Sequence, residues 1–301
     1  MKHIHNEYIM KKHLLTLTTL ICSILLIGCQ NTPKENAEPV DTDTVIVDDD
    51  QYLLMETSEG NITFKLYRET PLHRHNFVKL ARKGYYDNQQ FYRLQNNFTI
   101  QAGDPKSKGA TREVPLGEND VDYFIPEEIQ PEKFYHKRGA LAMASHYKME
   151  KSSGGHFYIV TGFKYNDNKL FNAEDAYNKR LRKEVFDSIS KSSPYAEQLK
   201  EYAKDQKRYM PKIREVKKQI TAATDKVMAT RKQFHYTKEQ SNLYKTVGGA
   251  ADLDGYYTVF GEVIEGMDVV TKIEKRAVDA KLRPFEPAII KRVREIPKSE
   301  L

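Results

Sequence analysis

One arginine in an otherwise apolar and amide-rich segment is the residue whose chemistry is easiest to define. The segment FYRLQNNFTIQAGD runs from Phe91 to Asp104 and has Arg93 as its single basic residue. A guanidinium keeps its charge at physiological pH and presents its N–H donors in a rigid planar fork. Taken alone, such an arginine can be a solvated surface group or a fixed cation that stabilises electron density on a bound molecule. The rest of the sequence has to decide between these two interpretations.

The sequence lacks the residues and motifs that several other classes of catalytic site require. Both cysteines, Cys22 and Cys29, lie near the N-terminus, so the rest of the chain has no disulfide and no thiol nucleophile. The sequence contains no nucleotide-binding glycine loop, zinc motif or nucleophile elbow, and we expect no cofactor. His73, His75 and His136 have no metal-binding spacing, so we expect solvated histidines and no metal. The net charge of +6 is modest for 301 residues and indicates no nucleic-acid partner.

Residues 1–29 have the pattern of an export signal. A basic start is followed by LLTLTTLICSILLIGC, an apolar run too short for a comfortable membrane span. The end of this run resembles the lipobox of a bacterial lipoprotein signal, which implies that the sulfur of Cys29 is acylated. The alternative is an uncleaved signal anchor or a buried helix, and translation could start at Met1 or Met10. Residues 30–50 have the composition of a flexible tether. We therefore expect a protein of the bacterial cell envelope, lipid-anchored to a membrane and facing the periplasm or the cell surface.

Folded structure is predicted to begin near Tyr52. Two apolar or alternating runs in YLLMETSEGNITFKLY flank a glycine turn, which is typical of a β-hairpin. The next segment, ETPLHRHNFVKLARKGYY, has Thr70 in an N-cap position, Pro71 at the first helical position and Gly84 as a stop, and it predicts a helix. Further strand-like runs follow, with a second helix predicted at GMDVVTKIEKRAV. Many strands and two helices indicate a mainly β fold, namely a closed antiparallel barrel with helix-capped ends.

Four segments resemble the signature blocks of the cyclophilin-type peptidyl-prolyl cis-trans isomerases, in the order and spacing of that family. They are FYRLQNNFTIQAGD, GALAMAS, SSGGHFYI and LDGYYTVFGEVIEGMDVV. The resemblance implies a cyclophilin-like domain over residues 51–162 and 250–298, with an eight-stranded barrel and a substrate groove on its outer face. It also implies non-covalent catalysis of rotation about the peptide bond before proline. Rotation localises a lone pair on the prolyl nitrogen, and a guanidinium can hydrogen-bond to that nitrogen.

The resemblance gives each matching position a role. Arg93 would be the catalytic cation, and Gln101 would bind the substrate or orient Arg93. The substrate-binding positions are Phe98, Thr99, Ala144, Ser145, His156, Phe157, Tyr158, Leu253 and Tyr257. The strand aromatics among them could instead be barrel core. Four of these positions depart from the residues usual in the family. Thr99 replaces methionine, His156 replaces glutamine, Tyr158 replaces phenylalanine and Tyr257 replaces histidine, and next to Leu253 the chain has Asp252 where many members have tryptophan. We therefore expect a more polar pocket than is usual.

Residues 163–249 depart from this pattern and have a helical composition. Two apolar stripes predict two helices that pack as an antiparallel hairpin, one of them starting at Pro211. The stripes are Ile213, Val216, Ile220, Ala223 and Val227, and Tyr177, Leu181, Val185 and Ile189. Thr237 and Gln240 have capping-box spacing and predict a third, short helix. Basic residues outnumber acidic ones in this insertion, so it is either a solvated face or a docking surface for acidic protein segments or lipid headgroups.

Two functions of different classes are compatible with these features. The first is a peptidyl-prolyl cis-trans isomerase that assists the folding of exported proteins and binds their proline-containing segments. The second is a client-binding chaperone or scaffold with weak or no isomerase activity, which works through the helical insertion. Replacement of Arg93 by alanine tests the first function, and deletion of about residues 165–245 tests the second.

Overall fold

The computed structural model describes residues 49–145 and 151–301, so the predicted export signal, Cys29 and nearly all of the tether lie outside the described residues. The strands are β1 (Gln51–Thr57), β2 (Asn61–Leu66), β3 (Gln89–Gln90), β4 (Arg93–Gln95), β5 (Thr99–Ala102), β6 (Phe124–Ile125), β7 (Ala140–Ser145), β8 (Ser152–Val160), β9 (Val259–Glu265) and β10 (Ile289–Ile296). The α-helices are α1 (Pro71–Arg82), α2 (Asp167–Ser190), α3 (Tyr195–Tyr202), α4 (Gln206–Thr230), α5 (Lys238–Thr246) and α6 (Met267–Glu274). No helix in the described ranges is both long and apolar enough to cross a bilayer.

The strands form one antiparallel sheet that curves into a half-barrel. The order is β3-β10-β1-β2-β9-β7-β8-β5-β4, with β6 paired to β8, so the prediction of a closed eight-stranded barrel is wrong. The physical reason lies in the end strands, because β3 has two residues and β4 has three. So few residues offer too few backbone groups for a closing ladder. Near β4 the backbone instead makes single bonds, such as the one from Leu94 N–H to Leu282 O at 2.9 Å.

Side-chain alternation divides the sheet into an inner and an outer face. The inner face carries the main hydrophobic core, whose strand residues include Leu94, Ile100, Leu141, Met143, Phe157 and Ile159. The outer face carries a smaller apolar cluster, which includes Ala140, Ala142, Tyr158, Val160 and Val259. Helices α1 and α6 pack on the inner core through Phe77, Leu80, Ala81, Val270 and Ile273. Neighbouring residues of one strand therefore belong to different environments.

The first turn of α1 is capped by a distant carboxylate. Pro71 is the first residue of this helix, as predicted, but the Thr70 side chain makes no capping hydrogen bond. Instead the backbone N–H groups of Leu72 and His73 donate to the carboxylate of Glu128 at 3.1 and 3.0 Å. A negative charge at this end of a helix is also favoured by the helix dipole. The helix is thus tied to the segment that precedes β7.

Helices α2 to α5 occupy the chain between β8 and β9. Helices α2 and α4 run antiparallel, because Arg182 pairs with Asp225 at 2.5 Å while the earlier residue Asn178 bonds to the later residue Phe234. Each helix buries part of its predicted stripe, namely Tyr177 and Val185 on α2 and Val216 and Ile220 on α4. The middle of each stripe therefore faces the interior as predicted, whereas Val227 at the end of the α4 stripe is exposed.

The sequence predicted the start of α5 correctly and the start of α4 incorrectly. Helix α4 begins five residues before Pro211, so the prediction that Pro211 starts it is wrong. The reason is an earlier cap, since the Asp205 carboxylate accepts a hydrogen bond from Arg208 N–H at 3.0 Å. Helix α5 has the predicted capping box, with reciprocal bonds between Thr237 and Gln240 of 2.9 and 3.1 Å.

Candidate active site

A row of outer-face residues crosses the centre of the sheet. Arg93 on β4 is the register partner of Gln101 on β5, Gln101 pairs with Tyr158 on β8, and Tyr158 pairs with Ala142 on β7. The row continues to Val259 on β9. Side chains of directly opposed strand residues lie about 5 Å apart at their Cβ atoms. The register thus brings a cation, an amide and an aromatic ring onto one line, although they come from different parts of the chain.

Arg93 lies at the open end of this row. Its guanidinium donates from Nη2 to Oε1 of Gln95 at 2.9 Å. In residues 49–145 and 151–301, no carboxylate lies within ion-pair distance of Arg93, so a counter-ion does not neutralise its charge. Arg93, Gln101 and Tyr92 border a cleft of about 680 Å³, which we call the Arg93 cleft. Gln101 was predicted as a residue that could orient Arg93, but the bonded amide is Gln95, two residues away on the same face of β4.

An apolar wall lies on the same face of the sheet. Phe98, Leu253 and Tyr257 are half-buried and pack against the cluster that contains Tyr158. The rings of Tyr158 and Tyr257 meet edge to face, with their centroids 5.8 Å apart. Burial raises the pKa of Tyr257, and the positive charge of Arg93 partly opposes this rise. The guanidinium is therefore within electrostatic reach of the wall.

The polar groups of Tyr158 and Thr99 do not make this wall as polar as their residue types suggested. The Tyr158 hydroxyl is 3.0 Å from Nε2 of His136, and burial raises its pKa well above 10. Thr99 is 4% exposed and pairs with Val160 and Gln95 on the neighbouring strands. Both side chains are thus withdrawn from solvent, and the expected more polar pocket is not evident at these two positions.

Ala144 and Ser145 lie at the end of β7. Ala144 packs against the outer apolar cluster. The hydroxyl of Ser145 donates to the carbonyl of Lys151 at 3.2 Å, across residues 146–150, which lie outside the described ranges. That these two residues pair with a substrate backbone stays a prediction.

Two of the expected substrate contacts are not brought to the row. Phe157 is fully buried on the inner face, where its ring meets those of Phe77 and Tyr86 at centroid distances of 5.2 and 5.3 Å. Strand alternation is the reason, because its neighbour Tyr158 occupies the outer face. His156 lies on the same face of β8 as Tyr158, but both of its ring nitrogens already have partners. These are Tyr92 Oη at 2.8 Å and the carbonyl of Asn119 at 2.6 Å. The structure therefore gives both residues internal partners.

Two buried histidines were not predicted from the sequence, and one of them contacts Tyr158 of the row. His73 and His136 were expected to be solvated, but both are buried and each lies against a carboxylate. The Nδ1 atom of His136 is 2.8 Å from Asp254, and the other side of this ring contacts Tyr158. Within the described residues no group of three or more His, Cys, Asp or Glu side chains is arranged to hold a metal ion. A period of two along β4 could have indicated Gln95, whereas no local sequence signal indicated the contact between His136 and Asp254.

Several known proteins are similar to this chain in sequence or in fold. The chain is 32% identical over 146 residues to a Staphylococcus epidermidis protein named "Putative peptidyl-prolyl cis-trans isomerase", covering 48% of this chain and 66% of that protein. It is 36% identical over 114 residues to the Dictyostelium discoideum peptidyl-prolyl cis-trans isomerase cypE, covering 38% and 69% of the two chains. The chain thus spans slightly less than two thirds of the Staphylococcus relative.

A crystal structure of a cyclophilin type peptidyl-prolyl cis-trans isomerase from Cryptosporidium parvum is also similar, with 20% identity, a TM-score of 0.48 and coverage of 83% of this chain and 99% of that one. The family model of the cyclophilin type peptidyl-prolyl cis-trans isomerase/CLD matches residues 52–220 and 192–295. Those residues include the whole row from Arg93 to Val259 and the apolar wall beside it. The chain therefore belongs to the cyclophilin-type peptidyl-prolyl cis-trans isomerase family.

Proposed function

We propose that the chain catalyses cis-trans isomerisation of peptide bonds that precede proline, with Arg93 as the catalytic residue. The observation that supports this most strongly is the position of an unneutralised guanidinium on the same sheet face as an apolar wall. A proline ring needs an apolar surface, and its nitrogen needs a donor at one edge of that surface. The row supplies the donor, and the wall beside it supplies the apolar surface.

The chemical difficulty of this reaction is rotation about a partial double bond. Delocalisation of the nitrogen lone pair gives a barrier of about 18–20 kcal/mol. In the twisted transition state the delocalisation is lost, and the prolyl nitrogen becomes a hydrogen-bond acceptor that the planar ground state lacks. A donor aimed at this nitrogen binds the transition state more tightly than the substrate, which lowers the barrier.

The size of the effect requires more than one contact. A rate increase of about 10⁵ corresponds to roughly 7 kcal/mol of transition-state stabilisation. We propose that Arg93 supplies the hydrogen bond to the nitrogen while Phe98, Leu253 and Tyr257 hold the proline ring. Gln95 would keep the guanidinium in place through its 2.9 Å bond, and Gln101 would bind the backbone of the substrate. No bond of the substrate is broken, and no cofactor takes part in this scheme.

A protease-coupled assay with a proline-containing peptide tests this function. The wild type should accelerate isomerisation, and Arg93→Ala should lower kcat/KM by about 100-fold or more, as removal of one transition-state donor does elsewhere. Arg292→Ala is a matched control, because Arg292 is an exposed arginine on β10, outside the row. Equal rates for wild type and Arg93→Ala would end this proposal, and an equal loss in Arg292→Ala would show a nonspecific effect.

We also propose that the substrates are exported proteins and that acylation of Cys29 holds the enzyme at the cell envelope. The support is the apolar run that ends at Cys29, followed by residues of tether composition. Two acyl chains give stable membrane anchoring, whereas one gives only marginal binding. Incorporation of labelled palmitate and recovery in the membrane fraction test this proposal. Both should be lost in Cys29→Ala, and retention of the label in that variant would contradict it.

A second candidate is a client-binding role for the helices between β8 and β9, which we propose are an addition to the family's domain. Lys207, Arg214 and Lys218 are exposed and lie on one side of α4, because their spacings of seven and four residues repeat with the helix. Such a basic stripe suits acidic segments of unfolded proteins or lipid headgroups. Reversal of these three charges to glutamate should abolish suppression of client aggregation and leave peptide turnover unchanged. Unaltered suppression would exclude the stripe as the binding surface.

A further inference from the structure

A buried chain of polar contacts connects the row to the helices between β8 and β9. It begins at the Tyr158 hydroxyl, which is 3.0 Å from Nε2 of His136. The Nδ1 atom of His136 is 2.8 Å from Oδ1 of Asp254. The other carboxylate oxygen, Oδ2, accepts hydrogen bonds from Tyr244 at 2.5 Å and Tyr236 at 2.8 Å. Tyr244 lies on α5 and Tyr236 lies just before it, so this series of polar contacts ends in the helical segment.

The carboxylate of Asp254 is the acceptor at the centre of this network. Oδ1 of Asp254 accepts from both the backbone N–H and the Nδ1–H of His136, and Oδ2 accepts from two phenols. Burial raises the pKa of Tyr158 and of Tyr244 well above 10, so both hydroxyls stay protonated. The Tyr158 hydroxyl can donate to Nε2 of His136 or accept from it, so the two groups are hydrogen-bond partners in either form of the ring. Every member of the chain therefore has a partner, and the polar network is compatible with burial.

The same helices also hold the loop of residues 253–257, which supplies Leu253 and Tyr257 to the apolar wall. Gly255 in this loop has a φ angle of +76°, and a Cβ placed there would lie 2.1 Å from the ring of Tyr177 on α2. The guanidinium of Arg180, also on α2, lies 4.4 Å from the centre of the Tyr256 ring. The loop is therefore fixed from one side by α2 and through its own Asp254 by α5.

We propose that His136 and Asp254 are positioning residues of the substrate site, and that α5 stabilises the site through the Tyr244 and Tyr236 hydroxyls. This inference rests on the proposed function, since it assumes that the Tyr158 face binds proline-containing segments. The hydrogen bond to His136 fixes the position of the Tyr158 ring, and the contacts of Asp254 fix the loop that carries Leu253 and Tyr257. The helical segment is thereby part of the support of the binding site.

A double-mutant cycle on peptide binding isolates this coupling. The probe is a tetrapeptide containing Ala-Pro, titrated into the full-length protein, and its dissociation constant is read from backbone amide shifts in NMR spectra. Loss of the His136 contact in His136→Leu should weaken binding by about three- to tenfold, the factor that one buried hydrogen bond is worth. In a Tyr158→Phe background the same His136→Leu change should weaken binding less than it does in the wild type, because the Tyr158 bond is already absent and only the bond to Asp254 is left to lose.

Two further variants keep the test informative if His136→Leu folds poorly. Tyr244→Phe removes one hydroxyl from the far end of the series of polar contacts. Tyr236 still donates to Asp254 in this variant, so the protein should remain folded. We expect it to weaken peptide binding by about two- to threefold. His235→Leu is the matched control, because His235 is an exposed histidine of the same segment whose ring contacts Glu174 at 2.8 Å. It should leave peptide binding unchanged.

The possible results separate this inference from the proposed function. Non-additive binding effects of the His136 and Tyr158 changes, together with a Tyr244→Phe effect that exceeds that of His235→Leu, would support the positioning role. If binding effects are additive, or if Tyr244→Phe has no effect, while the wild type turns over peptide, the inference fails and the proposed function stands. Coupled binding without turnover would overturn the isomerase function alone. A wild-type chain that does not bind the peptide overturns both.

Discussion

Replacing Phe157 by alanine should destabilise the fold and leave the outer-face row in place. Phe157 is fully buried and contacts three aromatic rings, those of Phe77, Tyr86 and Phe91, at centroid distances of 5.2, 5.3 and 6.5 Å. Truncation of a buried phenylalanine to alanine costs about 3–5 kcal/mol of unfolding free energy, through lost transfer energy and the cavity that remains. In a domain of this size about 1 kcal/mol shifts Tm by roughly 2–4 °C, so we expect a decrease of about 6–20 °C.

Phe98→Ala is the matched control for this prediction, because Phe98 is the same residue type in a half-buried position on the outer face. It should lower Tm by less than half of the Phe157→Ala decrease and weaken binding of a proline-containing peptide by about tenfold or more. Circular dichroism melts and peptide titrations at a temperature where both variants are folded give the two quantities. The reasoning is refuted if Phe157→Ala keeps its Tm and loses peptide affinity, since Phe157 would then face the substrate.

Three other perturbations test separate parts of the structure. Gln95→Leu should lower kcat/KM by about three- to tenfold at unchanged Tm, because Arg93 loses its 2.9 Å contact, and an unaltered rate would show that Gln95 does not position it. Gly103→Ala should lower the free energy of unfolding by more than about 3 kcal/mol in a denaturant titration, because Gly103 has φ +111° and its added Cβ would lie 2.2 Å from the carbonyl oxygen of Gly155. Gly109→Ala is the control, because Gly109 has φ +61° and its added Cβ would meet nothing within 4 Å, so the loss should be about 1–2 kcal/mol. Equal losses for the two variants would contradict the steric argument. The hydrogen bond from Lys272, with the charges of Lys272 and Arg276, lowers the pKa of Glu59 below its usual 4.5. Ionised Glu59 therefore stabilises the fold above its unfolded-state pKa, and this contribution disappears as the pH falls through the lower folded-state pKa, so the Tm difference between wild type and Glu59→Gln should be present at neutral pH and vanish in strong acid. A pH-independent difference would contradict this explanation.

Local patterns in the sequence predicted the elements that position the site. The alternation in β1 and β2 and the proline at the start of α1 gave correct elements, and the capping box placed the start of α5. The outer face of β4 and β5 could also be predicted, because Arg93 and Gln95 have the period-two spacing of one strand face, and so do Thr99 and Gln101. The same alternation implies that Phe157 and Tyr158 cannot both face the substrate.

The contacts that could not be predicted join residues far apart in the chain. The cap of α1 comes from Glu128, which no pattern near Thr70 indicates. The sheet stays open because β3 and β4 have only two and three residues to pair. The bond between His136 and Asp254 spans 118 positions. A histidine between a carboxylate and a phenol has no sequence signature, because only the fold brings the three groups together. Local propensity determines elements, whereas these contacts depend on tertiary packing.

The most direct test of the central claim is to measure rate and affinity of Arg93→Ala on one peptide. Exchange spectroscopy gives the rate of interconversion between the cis and trans forms, and a titration of the same sample gives the dissociation constant. If Arg93 stabilises the twisted amide, the catalysed rate should fall by about 100-fold or more while the dissociation constant changes by less than about threefold. A rate that is unchanged, or that falls only in proportion to the lost affinity, would contradict the claim.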